Sequence, residues 1–219
     1  MNLFRLDASI RTDGSVSREV ADTVEAAWRG DQPHPAVLRR DLGAAPLPAQ
    51  AWADAVVGGR TPAEHRSAAQ AEAVALATDL ADEVLAADAY LFAVPLYNFN
   101  IPQQLKVWID LLMTDPRLGP GADRPLLGRP AALVVVRGGG YGPGSPREGW
   151  DHGTPWLHRI FSDVFGLDLH QVEAELTLAG VNPAMEALRG LADQSLRDAH
   201  ATAHSHGRTL ADRVRTPVG

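Results

Sequence analysis

An unbroken apolar run, Ala131–Val136, constrains this chain more than any other segment. A strand with no polar residue must be covered on both faces, which is the situation of a central strand in a parallel sheet. Ala89–Val94 is a second short run of the same kind. Around these runs the pattern switches to helical spacing. Val16, Val20, Val24, Ala27 and Trp28 recur at that period. Ser67–Ala87 reads as a helix with Ala77, Leu80, Ala81 and Val84 on one face. Pro102 stands where a helix can begin, because the first helical position needs no N–H, and Leu105, Trp108, Ile109 and Leu112 follow at i, i+3, i+4, i+7.

Three more segments read as strands: Asn2–Asp7, in which Arg5 fits a buried strand poorly, Ala36–Leu42, and Leu167–Glu173. Ala44–Thr61 reads as a Pro/Ala/Gly-rich connection. Thr154-Pro155 opens a helix carrying Leu157, Ile160, Phe161 and Val164, with Gly166 at its end. Asn182-Pro183 caps a long C-terminal helix with Met185, Leu188, Ala192 and Ser195 inward. Five strands alternating with helices imply an α/β fold: one doubly wound, three-layer domain over residues 1–219, its sheet parallel and its crossovers right-handed. In such sheets ligands bind beyond the carboxyl ends of the strands, at the topological switch point. Function is therefore expected in the loops after strands one, three and four.

Composition removes several alternatives. The chain has no cysteine, so disulfides, thiolate metal sites and cysteine nucleophiles are excluded. It carries 27 acidic against 20 basic residues, Lys106 being the sole lysine, and has no basic run, which argues against nucleic acid and anionic membrane surfaces. No apolar run approaches the ~20 residues of a membrane span. Arg5 and Asp7 put charge where a signal peptide needs an apolar core, so the cytoplasm is the expected location.

The loop after strand one, Asp7-Ala8-Ser9-Ile10-Arg11-Thr12-Asp13-Gly14-Ser15-Val16-Ser17-Arg18, surrounds a helix start with hydroxyls and arginines. A helix N-terminus with extra hydroxyl donors suits a phosphate; equally, Asp13 or Ser15 could simply cap the helix. The spacing matches neither the Gly-Lys-Ser/Thr phosphate loop nor the Gly-x-Gly-x-x-Gly dinucleotide loop. After strand three, Leu96-Tyr97-Asn98-Phe99-Asn100-Ile101 lies pinned between Pro95 and Pro102. Asn98 and Asn100 could serve only as turn formers. Rings, amides and backbone N–H groups together also suit something flat with polar edges, such as an isoalloxazine. After strand four, Arg137–Gly153 contains seven glycines. Gly138 and Gly139 follow the buried strand directly, where backbone can approach a ligand closely. Gly142–Gly149 reads as a surface loop.

The run from Leu96 to Pro102 resembles the signature of FMN-dependent NADH:quinone oxidoreductases of the azoreductase family. Ser9 to Arg18 is similar to that family's phosphate loop, and Val136-Arg137-Gly138-Gly139 to its Arg-Gly-Gly loop. The resemblance runs in register over residues 1–166 and more loosely beyond. It implies a flavodoxin-like sheet of order 2-1-3-4-5, a homodimer, FMN as cofactor and NADH or NADPH as donor. It implies ping-pong reduction of a quinone or azo acceptor, with no protein group required for catalysis beyond FMN. Carried over by motif, the phosphate would sit on Ser9, Ser15, Val16 and Ser17. The ring would rest on Leu96, Tyr97, Asn98 and Phe99, with Val136, Arg137, Gly138 and Gly139 at its other edge. Backbone donors to the reduced ring are expected near Asn98 and Gly138–Gly139. Some relatives carry a histidine two residues past Arg-Gly-Gly; here Tyr141 stands there, and His152 or solvent is the other proton source.

Other features have plainer readings beside the functional one. Lys106 and Asp110 are an i, i+4 pair on a polar helix face. His200 and His204 could bind zinc or simply face solvent, and no metal is expected. Trp150 could line the acceptor pocket, while Phe161 and Phe165 are read as core. A broader NAD(P)H-dependent FMN reductase and a flavodoxin-type electron carrier are the competing functions. Arg11, Arg18 and Arg137 around the flavin loops favour a small-molecule acceptor over a protein one.

Overall fold

The computed structural model describes residues 1–30 and 36–216. Five strands, β1 (Asn2–Asp7), β2 (Ala36–Asp41), β3 (Ala89–Pro95), β4 (Pro130–Val136) and β5 (Asp168–Ala174), form a parallel sheet of order β2-β1-β3-β4-β5. The register sets Asp7 beside Ala93, Pro95 beside Val136 and Val136 beside Ala174, so the loops leaving β1, β3 and β4 emerge together. The reversal of strand order between β1 and β3 makes this edge the switch point.

Helices α1 (Val16–Arg29) and α6 (Arg189–Arg215) cover one face; α2 (Ala51–Gly58), α3 (Ala68–Leu85), α4 (Gln103–Leu112) and α5 (Gly153–His158) cover the other. On the first face Leu3, Leu91, Val134 and Val172 pack beneath Val20, Val24, Trp28 and Leu210. On the second, Phe92 stacks on Phe161 with ring centroids 4.0 Å apart, and Phe4 stacks on Trp108 at 5.9 Å. Phe161 and Phe165 are both core residues, as the sequence suggests. The α1–α6 crossing is close because position 207 is glycine: a Cβ there would stand 2.4 Å from the Val24 carbonyl oxygen.

Four local readings change. The connection after β2 contains the short helix α2, which buries Ala51 and Ala55. The helix opened at Thr154-Pro155 begins at Gly153 and widens into a π-helical turn, Arg159–Val164, whose hydrogen bond from Phe165 N–H to the Ile160 carbonyl spans five residues. The C-terminal helix starts at Arg189, after a 3-10 turn at Pro183–Leu188, and its buried side is Ala199, Ala203, Gly207, Leu210 and Ala211 rather than Met185 to Ser195. Arg5, the misfit in β1, is 1 % exposed and points under α1. There its guanidinium donates to Asp7, Asp22 and Glu25, so the charge is neutralised where it is buried. Burial alone would lower its pKa; Asp7, Asp22 and Glu25 outweigh burial and raise it.

Candidate functional site

The β1 loop leads into α1 through Gly14, whose φ of +63° is glycine territory. Ser15 is the N-cap residue, yet its hydroxyl makes no capping bond; it meets Ser17 Oγ at 3.1 Å. The plain capping role for Ser15 is thereby set aside. The first-turn N–H groups of Val16 and Ser17 have no preceding carbonyls to reach. Two hydroxyls and two N–H groups thus gather at the positive end of a helix, which is anion-binding chemistry.

Arg18 holds this loop from behind. It donates to the carbonyls of Arg11 (2.9 Å) and Ser9 (3.1 Å) and grips Asp41 at 2.6 and 2.7 Å. That pairing with Arg18, opposed by burial and helped by the N–H groups of Ala44 and Gly43, holds the Asp41 carboxyl down to about 2. Gly43 is packed so tightly that a Cβ would lie 2.0 Å from the Ser9 carbonyl oxygen.

The β3 loop makes a two-residue type I′ turn. Tyr97 and Asn100 exchange backbone hydrogen bonds of 2.8 and 3.0 Å, and Asn98 and Phe99 between them have φ of +50° and +69°. Asparagine tolerates that region, whereas for a bulky residue such as Phe99 it costs roughly 1–2 kcal/mol. Strain of this kind marks a functional site when the surroundings enforce it. They do: the Phe99 carbonyl accepts from His152 N–H at 3.0 Å, and the ring packs edge-on to Tyr141 (5.8 Å) and Trp150 (5.1 Å). The turn leaves the N–H groups of Asn98 and Phe99 without a protein acceptor among the described residues. The Tyr97 hydroxyl reaches back to the β1 loop, accepting from Ile10 N–H at 3.2 Å and meeting Ser9 Oγ at 3.3 Å.

After β4, the carbonyls of Arg137, Gly138 and Gly139 accept from Thr177, Leu178 and Leu176. The N–H groups of Gly138 and Gly139 have no acceptor among the described residues. A Cβ on Gly138 would stand 2.7 Å from Leu178 Cδ1, so any side chain there would have to displace that exposed leucine.

These three loops enclose one cleft with two lobes. The lobe of about 310 Å³ is lined by Ser9, Arg11, Gly14, Ser15, Val16, Ser17, Pro95, Leu96, Tyr97, Val136, Gly138, Thr177, Leu178 and Val181. The lobe of about 540 Å³ is lined by Ile10, Leu96, Tyr97, Asn98, Phe99, Gly138, Gly139, Tyr141, Arg147 and Leu178. Of the residues expected from sequence, Ser9, Ser15, Val16, Ser17, Leu96, Tyr97, Asn98, Phe99, Val136, Gly138, Gly139 and Tyr141 come together here. Arg137 and His152 do not line it. Burial alone would lower the Arg137 pKa, but its guanidinium is held by Asp151, Glu173 and Glu175, which raise it, and it also bonds Thr154 Oγ1. Arg18 is likewise committed to Asp41, so of the three arginines carried by these loops only Arg11 lines the cleft.

Leu178, Val181, Thr177 and Arg147 line the cleft without having been singled out. They lie in a post-β5 segment and a glycine-rich loop, where no period marks a facing side. Lys106 pairs with Asp110 at 2.6 Å on α4, outside the cleft. His200 bonds Thr23 at 2.8 Å and pairs with Glu19, and no metal-binding cluster of three occurs among the described residues.

A parallel sheet of order 2-1-3-4-5 with a hydroxyl-lined helix start at its switch point defines the flavodoxin-like class of mononucleotide-binding proteins. The family model described as flavodoxin-like fold matches residues 1–197. A protein of Frankia casuarinae named FMN-dependent NADH:quinone oxidoreductase is 40 % identical over 92 % of this chain and 96 % of its own. A namesake in Kineococcus radiotolerans is 40 % identical over 95 % and 99 %. The chain belongs to this family. An FMN-dependent NADH-azoreductase of Bacillus anthracis, solved with FMN, superposes with TM-score 0.75 over 96 % of this chain and 100 % of its own; at 18 % identity it speaks to the fold alone.

Proposed function

We propose that this protein is an FMN-dependent oxidoreductase that carries electrons from NADH or NADPH to a quinone, with azo compounds as further acceptors. The balanced reaction is NAD(P)H + H⁺ + quinone → NAD(P)⁺ + hydroquinone. One observation carries the reading. Two unpaired N–H pairs, at Asn98–Phe99 and Gly138–Gly139, border a cleft that is continuous with the hydroxyl-lined start of α1. A flat ring with anionic edges, tethered to a phosphate, satisfies both ends.

In this reading Ser9, Ser15, Val16 and Ser17 bind the phosphate, with Arg11 beside them. Leu96, Tyr97, Asn98 and Phe99 carry one side of the ring. Val136, Gly138 and Gly139 close the opposite edge, while Arg137 positions the two glycines through Asp151, Glu173 and Glu175. FMN supplies the two-electron chemistry when bound, so the protein needs no nucleophile. The N–H groups of Asn98, Gly138 and Gly139, which lack protein acceptors among the described residues, would be the preorganised donors to negative charge on a bound ring. Tyr141, on the wall of the larger lobe, is placed for acceptor contact or proton delivery, with solvent as the alternative source. His152 acts through its backbone.

Among the described residues no Asp or Glu lines either lobe. A protein-docking electron carrier concentrates acids around its flavin, so this acid-free rim suits a small acceptor. Ile10, Leu178 and Val181 at the cleft and Trp150 beside it are exposed apolar side chains, which supports a homodimer covering that rim. We place the protein in the cytoplasm as one domain over residues 1–219; no described helix is long and apolar enough to cross a membrane. Initial rates test the mechanism: parallel double-reciprocal lines for NADH against benzoquinone support a ping-pong scheme, and intersecting lines refute it.

A further inference from the structure

Arg147 stands in the glycine-rich loop on the wall of the larger lobe. Its guanidinium lies 5.6 Å from the centroid of the Phe99 ring. One of its nitrogens is 3.9 Å from where a Cβ on Gly139 would be. The ring of Phe99, itself fixed by Trp150 and Tyr141, provides a platform for the cation. Acidic groups are plentiful in the same segment, yet none is paired with it. Glu148, the next residue, turns back to accept from Gly144 N–H at 2.9 Å. Asp151, Glu173 and Glu175 are taken by Arg137. Among the described residues Arg147 has no ion-pair partner.

In a protein of net charge −7, this unpaired cation on an aromatic platform stands at a lobe whose other lining residues are all uncharged. Exposed and unpaired, it is free to meet an acid group on what enters. The phosphate end of the cleft already has its own cation, Arg11, in the other lobe. We propose that Arg147 selects the electron acceptor, and that the preferred acceptors are aromatic molecules bearing a carboxylate or sulfonate. This rests on the oxidoreductase reading above and adds the substrate class to it. The ring system of the acceptor meets Phe99, Tyr141 and Leu178, while its acid group meets Arg147 at the mouth of the lobe.

A rim ion pair at about 4 Å in a mostly aqueous surrounding corresponds to a roughly five- to tenfold preference. The test uses the FMN-loaded protein with 1,4-naphthoquinone and its 2-sulfonate. The quantity read is the ratio of kcat/KM for the sulfonate to that for the neutral quinone. The sulfonate's effect on acceptor potential is the same for every variant, so it cancels on comparison. Arg147→Gln is expected to lower the ratio about five- to tenfold, Arg147→Lys to keep most of it, and Arg147→Glu to lower it further. Added salt should erode the wild-type preference and leave that of Arg147→Gln flat. Independently of turnover, 1-naphthalenesulfonate, which accepts no electrons here, should quench tryptophan fluorescence in the wild type, and Arg147→Gln should bind it five- to tenfold more weakly. A ratio and a naphthalenesulfonate affinity both unmoved in Arg147→Gln would overturn the proposal. So would a change confined to the KM for NADH, which would assign Arg147 to the donor. Wild-type protein that binds naphthalenesulfonate through Arg147 but reduces neither quinone would keep the anion site and sink the oxidoreductase reading instead.

Discussion

Gly43 lines neither lobe, yet its replacement by alanine should damage the cleft selectively. The new Cβ would lie 2.0 Å from the carbonyl oxygen of Ser9 and 3.0 Å from its carbonyl carbon. Restoring van der Waals separation requires the β1 loop and the β2 loop to part by roughly 1 Å. Both contacts are backbone, so no side chain can swing aside. The Arg18 guanidinium, which bridges Ser9 and Asp41, lies 3.1 Å from the same Cβ and must shift too. Overpacking of this kind costs about 1–3 kcal/mol, or about 3–10 °C in Tm for a chain of this size. The larger expected effect is on the phosphate. Displacing the Ser9 and Ser15–Ser17 donors removes at least one hydrogen bond to a charged group, worth ~1.5–3 kcal/mol, which is about a 10- to 100-fold loss of FMN affinity. Riboflavin lacks the phosphate and should lose less than about threefold. Both affinities are read by quenching of flavin fluorescence at a temperature well below the variant's Tm. Equal losses for FMN and riboflavin, or no loss of either, would refute the assignment of the β1 loop to phosphate.

Asn98→Pro should be more damaging, because a φ near −65° cannot replace the +50° that the type I′ turn needs; FMN and riboflavin affinity should both fall at least about tenfold, while Asn98→Gly retains them. Arg5→Met leaves Asp7, 0 % exposed, without its close cation, while Glu25 keeps Arg29 and Arg39; about 3–5 kcal/mol of stability should be lost in urea denaturation, and a loss under about 1 kcal/mol would contradict a buried ion network. Asp41 has its folded-state value depressed from 3.8 to about 2, so its contribution is complete above about pH 5 and is lost as pH falls through about 2. Allowing for solvent screening, that is about 1 kcal/mol, and Asp41→Asn should flatten this part of the stability–pH profile while lowering stability at neutral pH.

The sheet was legible because β3 and β4 are buried on both faces and admit almost nothing but apolar residues. Their register then brings three loops to one edge regardless of loop sequence. The binding segments were legible where local chemistry repeats a recognisable pattern, as in Ser9–Ser17 and Leu96–Pro102. The direction of long side chains was not. Arg137 and Arg18 have the charge expected of ligand contacts, but carboxylates brought close only by the tertiary fold, Glu173 and Asp41, turn them inward. Arg147 shows the converse: it lies in what reads as a featureless glycine-rich loop, and only the fold reveals that its neighbouring acids are already engaged. The misfit of Arg5 in β1 was a real signal. It marked an ion network under α1 whose other members, Asp22 and Glu25, are one helical turn apart and far from Arg5 in sequence.

We propose that the three loops hold FMN for turnover with a nicotinamide donor and a quinone. The visible spectrum of the purified, FMN-reconstituted protein tests it directly. One FMN per chain, bleached by anaerobic NADH and recoloured by stoichiometric benzoquinone, is the predicted result. A protein that takes up no FMN, or one whose bound FMN stays yellow in excess NADH and NADPH, would contradict the account.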